Sequence, residues 1–273
     1  MKIRMIALLL LALSVGFLSG CGSQDLAVIV VGSTSVQPYA EMLSEEYALL
    51  YPEIVVDVQG GGSSAGITAV MAGTADIGMS SRALHGNELE LWNVVIAKDG
   101  LAVIVHPDNP LENLTMEQVR AIYAATVSDW GELGGREAEI HVIAREEGSG
   151  TRDAFENLVM ADAEITPRAI VQSSNGSVRQ LVSSDRHAIG FISMGLADPT
   201  VKAVQLDGVA ATWANVLHNT YTLYRPFLFV TNGEPTGPAK HFIDYTLSAE
   251  GQQVLMHEGL IPMMAPATEG AEP

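Results

Sequence analysis

An α/β fold is predicted by three stretches in which an apolar, strand-like run gives way to a Gly/Ser/Thr-rich turn and then to a helical pattern. Val28-Ile29-Val30-Val31 leads through Gly32-Ser33-Thr34-Ser35 into a pattern carried by Tyr39, Met42, Leu43 and Tyr47. Val55-Val56-Asp57-Val58 leads through Gly60-Gly61-Gly62-Ser63-Ser64 to Ile67, Val70 and Met71. Ile140, Val142 and Ala144 alternate into Arg145, and Gly148-Ser149-Gly150-Thr151 then precedes a helical pattern beginning at Asp153-Ala154-Phe155. Period two, then glycine, then period 3.6 marks strand, turn and helix in turn. With 273 residues the chain can build one large or two modest domains with substantial cores.

These junctions also have a chemistry. The first turn of a helix leaves N–H donors without intrahelical partners and carries the positive end of the helix dipole, glycine permits close approach, and hydroxyls add donors. An oxyanion fits such a place, and Arg145 just upstream offers a two-pronged guanidinium fork. Each junction taken alone is equally an ordinary N-cap with surface polar residues. The repetition favours a shared site fed by several helix N-termini.

The elements follow in order along the chain. Residues 1–20 read as a signal peptide, with Lys2 and Arg4 before an apolar run from Ile6 to Phe17 that is too short for an ordinary membrane span. Leu18-Ser19-Gly20-Cys21 resembles the bacterial lipobox, which implies that Cys21 becomes a lipidated mature N-terminus; a simply cleaved secretory peptide is the other reading. Cys21 is the only cysteine, so no intramolecular disulfide can form. After the first two junctions, Ala75 to Arg82 is a short strand ending in Ser80-Ser81-Arg82, which lies at a sheet's ligand end or in a surface turn. Leu84 to Leu91 has a charged helical pattern, and Val94 to Ala97 and Leu101 to Val105 read as two strands. His106-Pro107-Asp108-Asn109-Pro110 breaks the second. Thr115 and Gln118 have capping-box spacing at the head of a helix through Val119, Ile122 and Tyr123.

Beyond the Arg145 junction, Asp153 to Met160 reads as helix, Ile170 to Gln172 as extended, and Asn175-Gly176-Ser177 first as the cap of another helix, with a helix that lines the cleft as the other reading. Ala188 to Ile192 and Val201 to Leu206 read as strands. Tyr221 to Val230 alternates around Pro226, as a strand passing near a sheet edge would. Ala239 to Leu247 and Ala249 to His257 are amphipathic, with Ser248 capping the second. Residues 267–273 read as a disordered tail. There is no Cys/His set with metal-ligand spacing, and neither a metal nor a cofactor is expected. The formal net charge of −18 sets the surface against nucleic acid and anionic lipid headgroups. A small anion held among aimed dipoles is a separate matter, because surface carboxylates are screened over roughly 8–10 Å at physiological salt.

Assembled in order, these segments resemble the substrate-binding proteins of bacterial phosphate ABC transporters over essentially the whole mature length. The matching stretches are Gly32 to Val36 with Pro38, Gly60 to Gly66, Ala75 to Arg82, Arg145 to Thr151, Ala188 to Ile192, and Arg225-Pro226 with Ser248 to Gln252. The resemblance implies a two-lobed periplasmic-binding-protein fold of type II with two chain crossovers. Residues 26–104 with 222–266 would form the first lobe and 105–221 the second. It implies that Thr34, Ser35 and Ser63 serve an anion from the first lobe, and Arg145, Ser149, Gly150 and Thr151 from the second. Many relatives have Asp where this chain has Ser81; that carboxylate accepts a hydrogen bond from protonated phosphate and helps reject sulfate, so Ser81 weakens that discrimination. Arg82 would either add positive charge at the site or pair with Glu146 or Glu147 at its rim. The implied role is an extracytoplasmic, lipid-anchored monomer that captures inorganic phosphate and delivers it to the permease subunits of an ABC transporter.

Two rival readings come from the same residues. Gly62-Ser63-Ser64-Ala65-Gly66 fits G-x-S-x-G between a strand and a helix, as in the nucleophile elbow of a serine hydrolase. A sensor or adhesin on the same fold is the other. Within transport, sulfate, arsenate, molybdate and tungstate remain alternative ligands.

Overall fold

The computed structural model describes residues 26–263; the signal peptide, Cys21 and the tail lie outside the described residues. The chain opens with β1 (Leu26–Gly32), α1 (Gln37–Leu50), β2 (Ile54–Gly60), α2 (Ser63–Met71), β3 (Ile77–Ser80) and β4 (Trp92–Val105). It continues through β5 (Asn113–Leu114), α3 (Met116–Tyr123), β6 (His141–Arg145), α4 (Gly150–Phe155), β7 (Ile170–Gln172), α5 (Asn175–Ser184) and β8 (Ala188–Ser193). Then follow β9 (Lys202–Ala203), β10 (Gln205–Leu206), α6 (Trp213–Leu217), β11 (Tyr224–Thr231), α7 (Gly237–Leu247), α8 (Ala249–His257) and β12 (Ile261–Pro262).

Parallel strands need crossover connections, and helices supply them here. β1 lies between β2 and β3, parallel to both, with α1 and α2 as the links. β6 likewise lies parallel to β7 and β8. The strand order is β2-β1-β3-β11-β4-β8-β6-β7, and β4 joins the two groups. Its residues Trp92 to Gly100 pair antiparallel with β11, and Leu101 to Val105 pair antiparallel with β8. The sequence suggested two separate strands here. Lys98, Asp99 and Gly100 stay extended because Pro226, Arg225 and Tyr224 face them across the ladder, so the run is a single 14-residue strand.

The apolar interior divides at the same place. One cluster packs Val28, Val30, Tyr39, Leu43 and Tyr47 against Ile96, Phe227, Phe229 and Phe242. Another packs Leu101, Val103, Tyr123, Phe155 and Phe191 against Tyr221 and Leu223, with the Phe155 and Phe191 rings stacked at 4.0 Å. At roughly 1.5–3 kcal/mol per buried large apolar side chain, each cluster is a core in its own right.

Several local expectations shift. The helix expected from Asp153 starts three residues earlier, capped by Ser149, and passes into a π turn over Glu156–Met160, closed by the Ala161 N–H donating to the Glu156 carbonyl. Leu84 to Leu91 is a short 3-10 helix over Gly86–Glu90. Val201 to Leu206 splits because the Val204 N–H donates to Val103, which leaves β9 on β4 and β10 on β5. Pro226 lies in a central strand, yet β3 pairs only with Leu228 to Val230, so the proline has β4 on one side alone. The Thr115/Gln118 capping box and the Ser248 cap form as the sequence indicates.

Candidate functional site

The turns at 32–35, 62–64 and 148–151 meet. The Gly62 N–H donates to the Gly32 carbonyl at 2.9 Å, and the Ser64 N–H donates to the Gly148 carbonyl at 3.1 Å. Ser35 Oγ and Thr151 Oγ1 are 2.8 Å apart. Gly32 makes the convergence possible, since a Cβ there would lie 2.3 Å from the Met79 carbonyl oxygen of the adjoining strand.

The hydroxyls form one buried group. Ser33 Oγ donates to Ser81 Oγ at 2.8 Å, Ser63 Oγ lies 3.4 Å from Ser81 Oγ, and the Ser81 N–H donates to Ser63 Oγ at 3.1 Å. Ser33, Ser35, Ser63, Ser81, Ser149 and Thr151 are all buried, and Thr34 is half-buried. Ser149 caps α4 by accepting from the Arg152 N–H, and Gly150 begins that helix beside Ser63 and Ser81. Polar groups at this density inside a protein need partners, and these largely find them in one another.

Arg145 enters from the end of β6 and is 1% exposed. Its Nε and Nη2 donate to the two carboxylate oxygens of Glu146 at 2.8 and 2.9 Å, and Nη2 also reaches Thr34 Oγ1 at 3.2 Å. Nη1 is buried and has no hydrogen-bond partner among the described residues. An unpaired guanidinium N–H in the interior is costly, so this fork is aimed at something that accepts.

Arg82 behaves otherwise. It pairs with neither Glu146 nor Glu147: its two Nη atoms donate to both oxygens of Glu88 at 2.7 and 2.8 Å. Glu88 lies six residues downstream in the short 3-10 helix and meets Arg82 directly, whereas Arg145 holds Glu146. The hydrogen bonds from Arg82 hold the Glu88 carboxyl below its ordinary range. Arg82 Nη2 also donates to Ser64 Oγ at 3.2 Å. Ser64, Arg82, His85, Glu147, Ser149 and Arg152 line an open cleft of about 720 Å³ beside the hydroxyl group.

Two further residues belong here that the sequence did not place among the anion-binding side chains. Asn175 reads as a helix cap, but Ser174 caps α5 and the Asn175 side chain turns inward. Its Nδ2 donates to Ser35 Oγ at 2.9 Å, and its Oδ1 accepts from the Ser193 N–H. Arg225, on β11, donates through Nη2 to Ser35 Oγ at 3.0 Å and to Asp99 at 3.1 Å. Burial pushes the Asp99 carboxyl up, while Arg225 and the Ser193 hydroxyl pull it back. The Arg-Pro pair inside an apolar strand was the one available signal, since an arginine there needs a buried partner.

The G-x-S-x-G stretch does not form a triad. Ser64 is the elbow position, its hydroxyl accepts from Arg82, and no histidine ring is hydrogen-bonded to Ser63 or Ser64 among the described residues. No group of three or more His, Cys, Asp or Glu side chains among the described residues could hold a metal ion. The arrangement offers hydroxyl and N–H donors around a buried guanidinium, which suits non-covalent retention of an anion.

The model of the PBP superfamily domain matches residues 20–250. The phosphate-binding protein PstS of Pseudomonas aeruginosa is 34% identical over 273 residues, an alignment covering 88% of this chain and 84% of that protein. The chain belongs to the phosphate-binding proteins of the PBP superfamily. Its α/β architecture is the two-lobed PBP fold. A phosphate ABC transporter substrate-binding protein from Clostridium perfringens, solved with bound phosphate, is 42% identical with a TM-score of 0.85, over 87% of this chain and 100% of that one. An ABC-type phosphate transport receptor from Vibrio cholerae is 38% identical with a TM-score of 0.72, over 86% of this chain and 99% of that one. Membership in this family accounts for the converging junctions, which a serine hydrolase leaves unexplained.

Proposed function

We propose that this protein captures inorganic phosphate outside the cytoplasm and hands it to the permease subunits of an ABC transporter, with no bond made or broken. The observation that carries the reading is the Nη1 of Arg145, buried without a partner among the described residues on a guanidinium whose Nη2 reaches Thr34 Oγ1, the neighbour of the Ser35 hydroxyl that meets Thr151. Arg145 supplies the counter-charge. Thr34, Ser35, Ser63 and Ser81 serve the anion from the first lobe, and Ser149, Gly150 and Thr151, with Arg145, from the second. Closure excludes water, so fixed dipoles act at low dielectric. Arg82 serves at a distance, holding Ser64 and Glu88 at the cleft wall.

The lobes in this reading are residues 26–104 with 222–266, and 105–221, turning about β4 and β11. The change of ladder partner at Gly100 and Leu101 supports a pivot close to that division. The lipid anchor at Cys21, the extracytoplasmic location and the monomeric state belong to the same proposal. No helix of the described residues is long and apolar enough to cross a membrane. Loss of membrane association in Cys21→Ala, with ligand binding intact, is the expected outcome for an anchor.

A second reading within the same site is favoured by Ser81, which leaves a hydroxyl in place of a carboxylate beside Ser63. A different tetrahedral oxyanion, such as sulfate, molybdate or tungstate, would then be preferred. Isothermal calorimetry against these anions, arsenate and phosphate tests both readings. Phosphate binding tightest supports capture of phosphate, and no binding of any of them overturns the site.

A further inference from the structure

Ser35 has an unusual set of neighbours. Its hydroxyl oxygen takes an N–H from Arg225 at 3.0 Å and another from Asn175 at 2.9 Å, and it lies 2.8 Å from Thr151 Oγ1. A hydroxyl has two acceptor lone pairs and one proton. Guanidinium and amide nitrogens only donate, so both lone pairs of Ser35 are taken. The proton must go to Thr151. Thr151 therefore accepts, and its own proton is directed away from Ser35. The polarity of this chain is set by groups that cannot reverse: Arg225 is fixed by Asp99, and Asn175 is held the right way round by the Ser193 N–H on its Oδ1.

We infer that Asn175 and Arg225 are positioning residues that commit the Ser35 proton to Thr151 and thereby turn the Thr151 hydroxyl into a hydrogen-bond donor toward an acceptor oxygen of the bound anion. This rests on the site assigned above and deepens it. Every unprotonated oxygen of phosphate or sulfate can accept that proton, so this bond gives no preference to a protonated ligand over sulfate. Rejecting sulfate would have to come from the other side of the site, where Ser81 offers the weaker acceptor. Arg225 is the ionisable group bonded to Ser35, and the charged and titratable groups that act on Arg225 in turn are Asp99, Arg145 and Tyr39. None of these is a histidine.

Calorimetry with inorganic phosphate and with sulfate at one neutral pH tests this on four proteins: wild type, Ser35→Ala, Asn175→Ala and the double variant. Each single substitution is expected to weaken phosphate binding by about tenfold or more, the scale of one hydrogen bond to a charged group. The double variant should fall little further, because Asn175 acts chiefly through the Ser35 hydroxyl at 2.9 Å, its contact with Thr34 Oγ1 being longer at 3.4 Å. Losses that multiply would overturn the inference. Thr151→Val removes the directed proton, so it is expected to weaken binding about tenfold in the wild-type background and to add little to Ser35→Ala, a pattern that mere loosening would not produce. Equal losses in both backgrounds would count against the polarity argument. Melting curves of the ligand-free variants establish that each is folded. Wild-type protein that binds neither anion would instead overturn the assigned site.

Discussion

A methyl group on Gly150 would lie 2.2 Å from Ser63 Oγ and 2.7 Å from Ser81 Oγ. The first turn of α4 thus rests directly on hydroxyls contributed by the other half of the molecule. Gly150→Ala is helix-compatible, so its damage should fall on the approach of the two halves rather than on folding. Phosphate affinity is expected to drop by roughly a hundredfold, since all the donors of the 148–151 turn are displaced together, while the ligand-free melting temperature stays near that of wild type. Calorimetry paired with a melting curve reads both numbers.

Arg145 and Arg82 separate by what their nitrogens already do. Arg145→Ala removes a fork whose Nη1 has no partner among the described residues, and phosphate binding should weaken by roughly a hundredfold or more. Arg82→Ala should change affinity far less. Comparable losses from the two would show that the principal cation has been misassigned.

The cost of Arg82→Ala appears in stability. Glu88 is buried, and removal of one partner of a buried pair costs about 3–5 kcal/mol. Chemical denaturation at neutral pH should show it as a lowered midpoint with an unchanged slope.

Acid should erase that difference. The Glu88 carboxyl titrates below its ordinary value of 4.5 because Arg82 hydrogen-bonds its ionised form. A depressed folded-state pKa contributes stability that is full above the unfolded value and is lost as pH falls through the folded one. The gap between wild type and Arg82→Ala should hold above pH 4.5 and narrow steadily below it. A gap independent of pH would mean that packing, not the ion pair, is lost.

Ser81→Asp places an acceptor-only carboxylate against Ser33 and Ser63. It can accept a hydrogen bond from a P–OH group and repels an anion that has none, so the phosphate-to-sulfate affinity ratio should rise by roughly tenfold. An unchanged ratio would place this side chain out of contact with the ligand.

Much of this site could be read from the chain because its parts are local. Gly32 to Ser35, Gly62 to Ser64 and Gly148 to Thr151 each carry their turn, hydroxyls and helix start within a few residues, and convergence follows once strands are laid parallel. Arg82 and Glu88 were not matched because choosing among nearby carboxylates depends on where the 3-10 helix over Gly86–Glu90 turns its side chains. Asn175 and Arg225 were hidden for a different reason. Each has a sufficient local explanation, one as a helix cap and one as a strand residue, and only the fold brings them within 3.0 Å of Ser35. The 98–100 segment of β4 looked like a break because its polar and glycine residues hide a partner more than 120 positions away.

Each buried guanidinium described here has its own carboxylate: Arg82 with Glu88, Arg145 with Glu146, Arg225 with Asp99. The cleft therefore presents no surplus positive field to solution, while the molecule as a whole carries −18. An arriving anion climbs a repulsive slope and is rewarded only at short range. Inert electrolyte flattens that slope, so capture should speed up as ionic strength rises, the reverse of an encounter steered by opposite charges.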